Sequence, residues 1–431
     1  MNSFFRIIRK YDNVVFIFSF FVSIIIRFIF LDKYHQYDVS TFLEWSHFLS
    51  PIRNVYLTDC YCNYPILGLL FSSGIIRLFS FQIEPFLYFL SLIDALNVLL
   101  VYQIFKKSEV QNAKIYTFFI SISISTWIIG GVWGQIDNIG QTFIYLILLL
   151  IILLTKKISE RNRYIYLLMI GILLCCALYI KQLLIFSVFP FFIFSVLLIY
   201  FHTNFLKLKK WKYFAIFICG LFIPFIFFEF FLYIPEKYFF SHLEKIFLEG
   251  SDHINIIADN GFNLWTLFSN HQFDDSSKNW IFFLSPKTIG ISLFSLFSLW
   301  LITKCFLFLK KFKKINYVQI IFFILFFNLL FNVVLTGTHE RYIYHFYPLY
   351  LIFIFSLQNI KKENLINIEK ILAFVLATIY GVFVYLILRK HLNSFYFHHF
   401  LAILHLLLFF RMFFYGQKLF SLKENPFKSE V

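Results

Sequence analysis

Long apolar runs recur from one end of this chain to the other, near residues 14–31, 85–105, 114–132, 139–155, 164–180, 183–202, 213–234, 288–309, 317–336, 342–358, 371–388 and 398–415. About 20 apolar residues wound as a helix cross the hydrocarbon core of a bilayer, and within that core the backbone must satisfy its own hydrogen bonds. Runs of this length, in this number, leave one fold class: an all-α polytopic membrane protein of about 12 transmembrane helices. Composition agrees, because 14% of the residues are charged where soluble domains carry about 25%. No soluble domain, internal repeat or low-complexity tail breaks the pattern, so residues 1–431 read as a single integral membrane domain.

The formal charge of +15 would suggest a nucleic-acid partner in a soluble protein. Here the Lys and Arg residues lie in short clusters between apolar runs, where topology accounts for them, and no nucleic acid is expected. A cytoplasmic N-terminus places 24 of them in cytoplasmic segments and 11 outside, with Lys156 and Lys157, Lys209 and Lys210, and Lys310 to Lys314 all inside. That bias predicts cytoplasmic termini and two long outside loops, 32–84 and 235–287. Within the first loop, the stretch 65–81 is interrupted by Gly68, Ser72, Ser73, Gly74 and Arg77 and is expected to lie in the membrane interface. The first apolar run lacks a small-residue cleavage site and reads as an uncleaved helix. Cys60 and Cys62 are too close for an unstrained mutual bridge in an extended segment, and no His or Cys cluster beside them completes a zinc site.

Inside loops are short and simply basic, so any reaction site is expected to face outward. Five constellations there carry chemistry. Asp38, after the first run, is the carboxylate of choice; if a helix starts at it, Phe42 and Trp45 at i+4 and i+7 share a face that would sit in the interface. Simple helix capping by Asp38 is the competing reading. The turn Gly130-Gly131-Val132-Trp133-Gly134-Gln135-Ile136-Asp137-Asn138 offers Gln135, Asp137 and Asn138 to a polar ligand beside an interfacial Trp133. Lys181-Gln182 breaks a long apolar stretch, and a cation so placed faces a cavity or an anion unless it snorkels from a minimal turn. Thr338-His339-Glu340-Arg341-Tyr342 packs three ionisable side chains between two runs, a density that suits a phosphate or carboxylate. Finally, Asn260-Gly261-Phe262-Asn263-Leu264-Trp265 in the second loop reads equally as a carbohydrate-stacking surface around Trp265 or as an ordinary turn. No P-loop, GxSxG or zinc motif is present.

Taken together, an outward Asp after the first span, a Trp-Gly-Gln-Ile-Asp turn, a Lys-Gln break and a late His-Glu-Arg-Tyr resemble the GT-C membrane glycosyltransferases. The closest likeness is to bacterial mannosyltransferases related to the second mannosyltransferase of GPI-anchor synthesis, over residues about 30 to 345. The resemblance implies a GT-C-type fold with an interfacial helix in the first outside loop, in a bacterial inner membrane. It implies a polyprenyl-phosphate sugar as donor, a hexose such as mannose, and transfer with inversion to a hydroxyl acceptor. By matching position Asp38 is the catalytic carboxylate. Arg341, His339 and Lys181 would hold the donor phosphate, and Trp133, Gln135, Asp137, Gln182, Glu340 and Trp265 the sugar or the acceptor. The Lys181-Gln182 pair departs from the Lys-Pro-Gln expected there. Some members of that superfamily use a divalent metal, but Asp38 with Asp32 or Glu44 is too sparse a set to assign one.

Two other classes fit parts of the pattern. A transporter or lipid flippase would also carry many spans and buried charges, but would concentrate polar groups at the midplane and show related halves. A polysaccharide polymerase or ligase would share the long outside loops and lipid-linked substrates.

Overall fold

The computed structural model describes residues 12–29, 37–49, 62, 64–231, 255–259, 261–269, 274–280, 283–357, 363–388 and 395–422. Of the segments singled out above, Asp32, Cys60, Asn260 and the stretch 232–254 lie outside them. Among the described residues, nine helices are long and apolar enough to cross a membrane, and shorter apolar helices accompany them. In chain order the helices are α1 (Asp12–Ile29), α2 (Tyr37–His47), α3 (Ile66–Leu78), α4 (Glu84–Lys107), α5 (Ala113–Ile122), α6 (Asp137–Leu154), α7 (Glu160–Ile180) and α8 (Ile185–Phe201). They continue as α9 (Lys210–Phe231), α10 (Pro286–Phe312), α11 (Tyr317–Val334), α12 (Phe346–Phe355), α13 (Glu363–Leu388) and α14 (Phe395–Leu419). Among the described residues the one strand ladder is a two-residue parallel pair, β1 (Ala258–Asp259) with β2 (Thr338–His339).

The helix α11 is the axis of one half of the bundle. Apart from Gln319, Asn328 and Asn332 it is apolar, and it is buried along its length, with α8, α10, α12 and α14 packed around it. A helix without a polar face is stable only where it is surrounded. Its start is set by a capping box, in which the Asn316 side chain accepts from Val318 N–H at 2.9 Å and Gln319 Oε1 accepts from Asn316 N–H at 3.0 Å. The other half is built from α4 against α6, α6 against α7, and α7 against α9, with α1 lying on α4 and α5.

Three sequence expectations need correction. The run 114–132 is not one helix: α5 ends at Ile122, followed by a 3-10 turn, 124–126, and a wide π turn, 128–132. A hydroxyl marks its end: Thr126 Oγ1 lies within hydrogen-bond distance of the carbonyls of Ile120 (3.0 Å), in the last turn, and Ser123 (2.7 Å), and its one proton serves either of them. The run 342–358 likewise opens with a 3-10 turn, 342–345, before α12. The third concerns α2, whose Phe42 and Trp45 do share a face, but that face is buried in protein. Phe42 packs on Tyr64 and Phe86, and Trp45 on Tyr64, with ring centroids 5.4–6.0 Å apart.

Candidate active site

The connections that carry the singled-out motifs all leave the same ends of the helices: α1 to α2, the 132–137 turn before α6, the 181–184 turn between α7 and α8, and 335–345 after α11. Antiparallel packing brings them together. The basic turns before α5, α7, α9 and α11 lie at the opposite ends, where Lys156 pairs with Glu109 and Lys209 with Glu160.

Asp38 sits in the first turn of α2. Its carboxylate oxygen Oδ2 accepts a hydrogen bond from Trp133 Nε1 at 2.7 Å, across 95 residues. Gly134 permits this approach. Its φ is +84°, and a Cβ there would lie 2.3 Å from Val39 Cγ2, so only glycine lets the turn close on α2. Arg341 Nη1 lies 3.8 Å from the same Asp38 oxygen and 3.7 Å from Glu340 Oε1, with its guanidinium 5.5 Å from the centroid of the Trp133 ring. Trp133 therefore orients both charges, donating to the anion and facing the cation.

Burial pushes the Asp38 carboxyl up, but the Arg341 charge, the Gln135 and Trp133 side chains and, more weakly, Lys181 outweigh it and hold the group below the ordinary carboxylate range. Burial works against the Arg341 charge too, yet Asp38 and Glu340 more than compensate and push the guanidinium further up. Both groups are ionised at neutral pH.

A second ion pair lies deeper. Lys181, in an extended bend between α7 and the 182–184 turn, reaches Asp137 Oδ2 at 2.8 Å. Asp137 opens α6, and its other oxygen faces His345 Nε2 at 3.7 Å. His345 Nδ1 meets Gln141 Oε1 at 2.8 Å, one turn along α6 from Asp137. The aromatic rings of Tyr64 and Tyr342 flank the Lys181 ammonium, 5.6 and 6.0 Å away. Tyr64 donates its hydroxyl to Gln135 Oε1 at 3.0 Å and so joins the two pairs. Burial, Asp137 and Asp38 push its phenol far above the ordinary value, which keeps it a donor.

Exposure separates the pairs. The side chains of Asp38 and Arg341 retain 21% and 17% of their surface, whereas Lys181 and Asp137 retain 5% and 3%. A ligand arriving at the bundle end meets Asp38 and Arg341 first. Glu340 is buried beneath Arg341, and His339 turns its ring onto Tyr342 at 4.6 Å. Gln182 is half-buried at the start of its turn. Trp265 is not brought to this group. It is buried, its Nε1 donates to the Val334 carbonyl at 2.7 Å, and its ring packs near Trp280.

Tyr64, Tyr342, Gln141 and His345 are the members that sequence reasoning left out of its site. Tyr342 and His345 follow directly on the His-Glu-Arg segment, but Tyr64 and Gln141 gave no local signal. Among the described residues, no three His, Cys, Asp or Glu side chains converge as metal ligands do.

Residues 63–228 match the family model of dolichyl-phosphate-mannose-protein mannosyltransferases. No curated protein matches. The match covers α3 to α9 and with them Tyr64, Trp133, Gln135, Asp137 and Lys181, while Asp38 and Arg341 lie on either side of it. It supports a membrane glycosyltransferase of the GT-C kind.

Proposed function

We propose that this protein transfers a hexose, in the first instance mannose, from a polyprenyl-phosphate donor to a hydroxyl acceptor, with inversion, on the non-cytoplasmic side of the membrane. The observation that carries the reading is the partly exposed group in which Trp133 donates to Asp38 while Arg341 faces both. Such a reaction needs a carboxylate to receive the acceptor's proton and a cation to receive the departing phosphate. Here the two stand 3.8 Å apart.

The acceptor oxygen attacks the anomeric carbon, its proton passes to Asp38, and the bond from that carbon to the phosphate oxygen breaks, leaving polyprenyl phosphate paired with Arg341. A single displacement of this kind inverts the anomeric centre. Arg341 has two uses. In the free protein its charge holds Asp38 ionised but makes it a weak base. When the phosphodiester monoanion of the donor draws off the guanidinium, that restraint is relieved and Asp38 gains proton affinity while the acceptor is present. The buried Lys181–Asp137 pair is too enclosed to be the first phosphate ligand; we assign it, with Gln135 and Tyr64, to shaping the floor of the site.

The family match names a mannose-phosphate lipid, and the motif resemblance points to lipid-linked mannose as well, so the two agree on the donor class. Outward orientation is supported by the separation of the basic turns from the site, which sit at opposite ends of the helices. The test is transfer by the purified protein from a panel of polyprenyl-phosphate sugars and, in parallel, nucleotide sugars, with products identified by mass spectrometry. Turnover of the lipid-linked sugars alone is expected. Turnover of nucleotide sugars only, or none in any arm with transport in vesicles instead, would replace this reading by another class.

A further inference from the structure

Below the turn that carries Trp133, inside the helical bundle, lies a second polar centre that shares only Gln141 with the group described above. Arg27 on α1 and Asp94 near the middle of α4 are both about 1% exposed. They line a cavity of about 10 Å³ together with Asn97, Gln141, Tyr145 and Tyr344, among apolar neighbours. Charges and amides inside a bundle are costly unless they are paired or hydrated. Asp94 Oδ1, Asn97 Oδ1 and Gln141 Nε2 are buried without a hydrogen-bond partner, and each belongs to a residue lining this cavity. Two acceptors and a donor around a space of that size match what a single water needs.

The centre is tied to the turn above it at three points. Asp94 Oδ2 accepts the Gly131 N–H at 3.3 Å. Asn138 Nδ2 donates to the Leu90 carbonyl at 2.7 Å, and Asn97 Nδ2 to the Asn138 carbonyl at 2.9 Å. At Gly130 an added Cβ would stand 2.5 Å from Asp94 Oδ2, so the turn is pressed against the carboxylate with no room for a side chain. Both ends of the 130–138 turn are thus anchored on α4, while its middle presents Trp133, Gln135 and Asp137 to Asp38 and Lys181.

We infer that this cavity binds one ordered water and that Asp94, completed by it, is a positioning residue that sets the 130–138 turn for reaction. The kinetic consequence rests on the reading of Asp38 and Trp133 as the reaction centre; the structural one does not. Removing the acceptor for Gly131 N–H lets the turn shift. A displacement near 1 Å at a positioned group costs up to about 10²-fold in rate.

The test compares two double variants of the full-length protein, Arg27→Met/Asp94→Asn and Arg27→Met/Asp94→Leu. Both lack the buried charges, and only the first keeps an acceptor for Gly131. The asparagine double is expected to stay within about 3-fold of Arg27→Met alone in kcat, and the leucine double to fall at least about 10-fold with donor KM little changed. With fluorotryptophan incorporated, the Trp133 resonance, assigned through Trp133→Phe, should move in the leucine double while the other tryptophans stay in place. Equal kcat and an unmoved Trp133 resonance in both doubles would overturn the positioning role. Should the leucine double not fold, a density map of the wild-type protein fine enough to place waters decides: a water bonded to Asp94, Asn97 and Gln141 supports the inference, and a dry cavity overturns it. If Asp38→Asn proves fully active while the Trp133 resonance still follows Asp94, the positioning stands and the reaction-centre reading falls.

Discussion

Asp38 is the residue on which two readings diverge most sharply. As a helix cap it would tolerate asparagine, at a cost near or below about 1 kcal/mol; as a general base it would not. The structure records Trp133 Nε1 as the hydrogen-bond partner of the carboxylate, and an asparagine oxygen can still accept from that indole. Asp38→Asn is therefore expected to fold normally, bind donor and lose about 10² to 10⁴ in kcat, checked by single-turnover transfer alongside a thermal unfolding curve. Arg341→Ala should weaken donor use by about 10²-fold in kcat/KM. Arg341→Lys should recover only part of that, since an ammonium cannot offer the planar pair of donors. Arg341 also governs the pH profile. With the arginine present, the Asp38 pKa lies below its ordinary value, so the acid limb of kcat/KM, which reports the free enzyme, falls below the ordinary carboxylate value of about 3.9. Without the arginine, burial is less opposed and the limb should move up in pH. An acid limb that stays put in Arg341→Ala would separate the two groups. The pair Lys181–Asp137 makes a different kind of prediction. Lys181→Met strands a buried carboxylate and should cost about 3–5 kcal/mol, much of it regained in Lys181→Met/Asp137→Leu, as read from unfolding in detergent.

At the level of elements, the site depends on segments that do not continue as helices. The break at Ser123 and the π turn 128–132 direct the chain so that Trp133 meets α2 rather than carrying on across the bundle. Asn263 performs the same task for the other wall. Its Nδ2 lies within hydrogen-bond distance of the carbonyls of Ile257 and Leu335 and of Thr338 Oγ1, at 2.8 to 3.1 Å, and its Oδ1 accepts from Thr266 N–H at 3.0 Å. It thereby ties the second long loop to the segment that becomes His339-Glu340-Arg341 and holds the β1–β2 pair in register. Asn263→Ala removes these together and should cost about 2–3 kcal/mol, visible as faster amide exchange at Ile257 and Thr338. An effect confined to 255–269, with donor KM unaltered, would mean that the tie does not reach Arg341.

Across the whole molecule, the proposed topology predicts that cysteines introduced near Lys310 to Lys314 react from the cytoplasmic side and one introduced at His339 from the other. Labelling of α2 from the cytoplasmic face alone would place the site on the wrong side of the membrane for this function. What the amino-acid sequence determined by itself is the fold class, the order of nearly all the long helices, and the few polar segments that meet in the candidate site. Membrane solvation dictates these things residue by residue: length and hydropathy decide what crosses, and charge is excluded elsewhere. Tertiary structure alone decided the pairing. That Asp38 answers to Trp133 and Arg341, while Lys181 is spent on Asp137, follows from helix packing across 95 and 44 residues, which no local spacing encodes. Tyr64 and Gln141 became part of the site, and Trp265 left it, for the same reason. A polar side chain's role is set by the partner that antiparallel helices bring to it, and burial then decides whether a charge stays open to a ligand or is consumed in holding the fold.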